Sequence, residues 1–222
     1  MLVNGDFSRR AVVAGDRYRW VASPQAGVSR VMLDRVGGEV ARATSVVRYG
    51  KGSSFPRHEH PGGEEILVLC GVFSDENGDY PAGWYLRNPP GSAHRPSSGP
   101  GATLLVKLRQ MAASEDRSVR IDTRDPARWT QQGSRETCVL FESGAERVAL
   151  ERVPANAFVP ATASGGVELF VVSGELVADE DVYPTGSWLR MPPGDTPALR
   201  AGAQGATVYA KAGHLDPKAP AA

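Results

Sequence analysis

The ten residues GGEEILVLCG, Gly62–Gly71, return 103 positions later as GGVELFVVSG, Gly165–Gly174. The same offset lays GWYLRNPPG (Gly83–Gly91) on GSWLRMPPG (Gly186–Gly194), and one more inserted residue lays GATLLVKL (Gly101–Leu108) on GATVYAKA (Gly205–Ala212). Eleven residues separate Gly71 from Gly83, and eleven again separate Gly174 from Gly186. Self-similarity of this length predicts two like domains in tandem: 1–112 and 113–222, joined near the polar stretch QMAASEDR.

Working outward, the repeated segments belong to a series of short apolar runs, among them ATSVVRY, RVALERV and SWLRM, each bounded by Gly, Pro, Asn, Asp or Ser. With 25 Gly and 17 Pro in 222 residues, and few stretches of helical period, this is the pattern of many short strands joined by turns. It predicts an all-β sandwich or barrel. Twenty-five basic side chains balance twenty-five acidic ones, so no charge footprint points to nucleic acid or an anionic membrane. No apolar run reaches the length of a signal peptide or membrane span, and a cytoplasmic protein is expected. Cys70 and Cys138 are far apart and in no C-x-x-C element, so two free, mostly buried thiols are expected. The last residues, HLDPKAPAA, are read as a frayed tail with His214 exposed.

One stretch carries chemistry. GSSFPRHEHPGGEEILVLCG, Gly52–Gly71, holds two of the four histidines and two adjacent glutamates just before an apolar strand. Residues two apart on a strand share a face, so His58 and His60 project together while Glu59 points away. Glu64 follows the PGG turn, and His94 follows NPPGSA, where Pro and Gly fix a bend. Three imidazoles and a carboxylate form a ligand set for a first-row divalent ion with positions left for water or a small molecule. An H-x-H alone would be a weak signal; three of four histidines on one pattern with a spaced glutamate is a strong one.

The spacing Gly52-x5-His58-x-His60-x3-Glu64-x6-Gly71 resembles the first cupin motif, and Gly83-x5-Pro89-x-Gly91-x2-His94 resembles the second. The second departs at Ser98, where the family often has Asn. The longer stretch RHEHPGGEEILVLCGVFSDENGDYPAGWYLRNPPGSAH is similar to the ChrR cupin-like domain family. The resemblance implies two tandem double-stranded β-helix (jelly-roll) barrels, with His58, His60, Glu64 and His94 as metal ligands at the mouth of the first.

In the second half Val167 stands for Glu64, and Ala161, Ala163 and Pro197 for His58, His60 and His94, whereas Glu168 keeps the place of Glu65. The second barrel is therefore expected to lack the metal site. Glu65 and Glu168 are read as structural, facing outward or paired with an arginine such as Arg87 or Arg190. Phe55, Trp84 and Tyr85 are candidates for a pocket wall, with core packing the preferred reading of each.

These residues predict one divalent ion per chain, zinc or iron first, with manganese, nickel or cobalt also compatible. The expected function is a metal-binding, ChrR-like bicupin with a sensory or stress-related role, responsive to a small molecule or oxidant. The alternative is a non-haem iron(II) dioxygenase cleaving a hydroxyketone or diketone. A purely structural metal is the third reading. The expected partners are a small-molecule ligand and a second copy of the chain in a homodimer. A sigma factor is not expected, because the H-x-x-x-C-x-x-C element of the family's anti-sigma domain is missing from this sequence.

Overall fold

A computed structural model describes residues 1–38, 40–159 and 164–215. Among these the regular secondary structure is almost wholly antiparallel strand, its helical content limited to the single 3-10 turns Gly15–Arg17 and Pro126–Arg128. None of the described helices is long and apolar enough to cross a membrane.

The strands form two compact units. In the first, the central sheet runs Leu2–Val3, Val28–Gly37, Ala41–Tyr49, Ala102–Leu108, Glu64–Asp75, Trp84–Asn88, Val119–Asp122. In the second it runs Thr130–Gln132, Arg135–Glu142, Arg147–Val153, Arg200–Ala212, Val167–Ala178, Trp188–Met191, Ala11–Val13. The repeat seen in the sequence is a repeat of register. Ala102 lies opposite Gly71 and Ala206 opposite Gly174. Gly83 donates its N–H to the carbonyl of Val68 at 2.8 Å, and Gly186 does the same to Val171 at 2.8 Å.

The last strand in each order comes from far along the chain. Residues 6–18 belong to the second unit and residues 19–124 to the first. Val12 pairs with Leu189 in the second unit, while Arg120 takes the equivalent place opposite Leu86 in the first.

Alternation along the strands separates two faces. Ile66, Val68, Phe73, Leu86 and Leu104 build the apolar interior of the first unit. Val167, Leu169, Val171, Met191 and Val208 build that of the second. Val167 faces Met191 across the sheet where the first unit has Glu64 facing Asn88. The opposite face of each sheet carries a buried ladder of charge: Lys107, Glu65 and Arg87 lie side by side in the first unit, and Lys211, Glu168 and Arg190 in the second.

Two expectations are corrected here. Cys70 is exposed, with only Cys138 buried. The register slips between Thr103 and Leu104, whose partners are Cys70 and Val68, so Leu69 is an extra residue in a bulge. The bulge breaks the alternation that would have carried Cys70 inward with Ile66 and Val68. His214 is not exposed: its side chain is buried and its Nε2 lies 3.0 Å from Glu168 Oε1.

The glycines that end the repeated segments lie inside their strands and hold left-handed backbone, φ +74° at Gly71 and +76° at Gly174. A Cβ would stand 2.0 Å from the carbonyl oxygen of Gly101 at the first site and 2.2 Å from that of Gly205 at the second. Gly52 has φ +72° but open space around it. Gly71→Ala and Gly174→Ala are expected to cost about 2–4 kcal/mol and Gly52→Ala about 1–2 kcal/mol in urea unfolding, since only the first two add overlap to backbone strain.

Candidate metal centre

The short strands His58–His60 and Ser92–His94 pair antiparallel, which sets His94 directly opposite His58 and Ser92 opposite His60. Between His60 and Glu64 the chain turns sharply. Gly63 at φ +76° and Gly91 at φ +80° both donate N–H to the carbonyl of His60 at 3.0 Å. A strand with period two thus puts His58 and His60 on one face, and a turn built on glycine returns the chain so that Glu64 meets them.

Among the described residues, His58, His60 and His94 are the group whose ligand atoms all come within 4.8 Å of one another. The Nε2 atoms of His60 and His94 are 3.0 Å apart, and Glu64 Oε2 is 3.4 Å from each. All four residues predicted from the sequence are therefore brought together. The described part of the second unit offers Val167 and Pro197 at the matching positions, while Ala161 and Ala163 lie outside the described residues.

Supporting residues orient the cluster. His58 sets Nδ1 3.0 Å from the carbonyl of Pro56, which leaves Nε2 as its donor atom. His94 Nδ1 faces Asp75 Oδ2 at 3.6 Å, and Asp75 is held by the N–H of Asn77 at 2.7 Å and the hydroxyl of Tyr80 at 3.3 Å. Asn88 donates Nδ2–H to Glu64 Oε2 at 3.0 Å, and Arg120 donates to Asn88 Oδ1 at 2.6 Å. The arginine can only donate, so it fixes which end of the amide faces the carboxylate. The sequence singled out none of Asp75, Asn88 and Arg120; each acts through a pairing that no local motif announces.

Electrostatics divides the histidines. Burial holds the His60 pKa below its ordinary value, with Glu64 opposing and His94 and His58 reinforcing. For His94 burial acts in the same direction, but Asp75 and Glu64 outweigh it and raise the pKa. A neutral imidazole is the metal-binding form, so the buried His60 is already in it near neutrality.

A cavity of about 390 Å³ opens on His58, His60 and Glu64. That is the size of small-molecule sites, roughly 300–1,000 Å³. Its wall is largely apolar and includes Val28, Val47, Tyr49, Phe73 and Leu104. Phe55 lines it too, its ring 5.8 Å from that of His58. Trp84 instead packs against Tyr80 at 5.4 Å, and Tyr85 is fully buried away from the cavity wall.

Glu65, next to Glu64, turns to the opposite face and meets Arg87 Nη1 at 3.2 Å, both buried. Its counterpart Glu168 accepts from Trp188 Nε1 at 3.1 Å and contacts His214. Arg190, expected as a partner of Glu168, lies beside it in register, packs over the Phe7 ring at 4.0 Å and donates to the carbonyl of Asp6.

Two antiparallel barrels in tandem, the first with an inward cluster of three histidines and a glutamate, define a bicupin. The chain belongs to the ChrR cupin-like domain family, whose sequence model matches residues 8–112 and again 116–216. No curated protein matches the sequence significantly. Solved structures of the same fold include a proposed dioxygenase from Nostoc punctiforme, with TM-score 0.74 and 14% identity, covering 95% of this chain and 85% of that one. Ylba from Escherichia coli has TM-score 0.69 and 15% identity, covering 95% and 93%. The pirin YhhW from Escherichia coli, solved with nickel(II), has TM-score 0.67 and 12% identity, covering 92% and 99%. At these identities the likeness is one of fold.

Arg87→Met is expected to destabilise the protein by about 3–5 kcal/mol in denaturant unfolding, because it leaves Glu65 buried without this guanidinium. Replacing Glu65 and Arg87 together by apolar residues should recover much of that loss.

Proposed function

We propose that His58, His60, Glu64 and His94 hold one divalent metal ion and present it to a small molecule in the adjoining cavity, and that the chemistry is oxidation of that molecule by O₂, as in a metal-dependent dioxygenase. The observation that carries this reading is the spacing of the donors beside an open cavity. Two donor atoms each about 2.1 Å from one ion are about 3.0 Å apart at a right angle and about 3.4 Å apart at a tetrahedral angle. The imidazole pair at 3.0 Å and the two carboxylate contacts at 3.4 Å fall on those values.

Bound there, iron(II) would supply Lewis acidity and redox chemistry toward O₂, whereas zinc would supply Lewis acidity alone. The chain's own contributions are separable. Asn88 and Asp75 fix the orientation of Glu64 and His94, the role that outer partners play in tuning a metal's ligands. The apolar wall excludes water from the reacting molecule. The cavity argues against a purely structural metal, since a closed site needs no space beside it. The second unit, with Val167 opposite Met191, is assigned no metal.

A second reading is favoured by the family match: a metal-dependent receptor for a small molecule or oxidant, with the same site and no turnover. The fold likeness to the proposed dioxygenase favours the first. Metal analysis of protein purified without chelator or affinity tag, followed by anaerobic iron(II) loading and O₂ uptake with hydroxyketones and diketones, separates them. Substrate-dependent O₂ consumption supports the enzyme. One bound metal with no uptake across the panel would turn the assignment to the receptor.

His58→Ala and His94→Ala are expected to abolish stoichiometric metal, and Asn88→Leu to weaken affinity about 10–100-fold. Glu65→Gln should leave metal content unchanged. Full occupancy in both histidine variants would show the ligand set to be wrong.

A further inference from the structure

Arg30 lies in the strand Val28–Gly37, two residues from Val28, and both line the cavity that opens on His58, His60 and Glu64. Its neighbours across the sheet are Val47 on one side and Val21 on the other. Nothing apolar in that row accepts a hydrogen bond from a guanidinium. The Nε atom of Arg30 is buried and has no hydrogen-bond partner among the described residues. Elsewhere in this unit a buried guanidinium meets a carboxylate, as Arg87 meets Glu65 at 3.2 Å. A partly buried cation facing a cavity with apolar walls costs stability unless something enters to meet it.

We propose that Arg30 is the anion anchor of this cavity, and that the small molecule it admits carries a carboxylate or enolate at one end and an apolar body. The planar fork of the guanidinium matches two oxygens of a carboxylate. Valine, tyrosine and phenylalanine side chains along the wall suit the apolar remainder, and the volume suits one small molecule. Arg109, the other arginine of the wall, adds to the attraction for an anion, while Glu59 and Glu64 on the same wall act against it. The inference rests on taking this cavity as the substrate site, and it names the class of substrate.

The test compares benzoate with the neutral, isosteric benzamide by calorimetric titration, on protein freed of metal by chelation and on metal-loaded protein. Wild type is expected to prefer benzoate by about tenfold or more in both forms, as a charge-assisted hydrogen bond would give. Arg30→Gln and Arg30→Met should abolish the preference, and Arg30→Lys should keep part of it. Metal content, measured on each variant, should not change. Because Arg30 has no accounted partner at Nε, Arg30→Met should unfold at the same temperature as wild type or higher, whereas a structural arginine would give a lower one. A preference that persists in Arg30→Gln overturns the proposal, and so does one that exists only when metal is bound, since coordination would then explain it. Wild type with no metal but with the benzoate preference would refute the metal assignment and leave the anchor standing.

Discussion

Glu64 and Glu65 are adjacent on one strand, so they cannot share a face, and both are buried. Each must be compensated on its own side of the sheet. On the interior side Glu64 meets His60, His94 and Asn88; on the other, Glu65 meets Arg87 and stands beside Lys107. The register of this strand is thereby fixed twice. A slip by one residue would send Glu64 into the charged ladder and Glu65 among the imidazoles. The left-handed glycine and the bulge at Leu69 follow from the same register, and they recur in the second unit, where Ser173 is reached across an equivalent shift.

Comparison of the two units separates scaffold from site. The ladder Lys107, Glu65, Arg87 reappears as Lys211, Glu168, Arg190, so this side of the sheet is needed whether or not a metal site is present. The interior side is free to change: Glu64 and Asn88 become Val167 and Met191, and the space fills with aliphatic side chains. Val167 in the place of Glu64 and the aliphatic filling go together, because an isolated carboxylate in that setting would be costly to bury.

The fold and the histidine cluster were legible because their signals are local. H-x-H on one strand face, a glycine turn, and Glu64 four residues on require no knowledge of distant pairing, and the offset repeat supplied the architecture. What escaped depends on contacts far apart in the chain. Arg120 reaches Asn88 only because a strand from beyond the first repeat pairs with Trp84–Asn88. His214 looked like part of a tail because Glu168, its partner, is 46 residues away. Cys70 was misplaced by a single bulged residue, and Phe55 both packs against the core and lines the cavity, its ring lying between those of Tyr49 and His58. Arg30 carried no motif at all; its meaning comes from what its neighbours lack.

The traded edge strands bear on how such a chain can be divided. The repeat spanning 8–112 begins with a strand that completes the second unit, and the repeat spanning 116–216 begins with one that completes the first. Cutting the gene between its repeats would therefore not release two self-sufficient halves. The piece holding His58, His60, Glu64 and His94 would lose Arg120, and with it the grip on Asn88 behind Glu64, while the other piece would lose the strand opposite Trp188–Met191. Mixed in one solution, the two pieces should rebuild what neither holds alone.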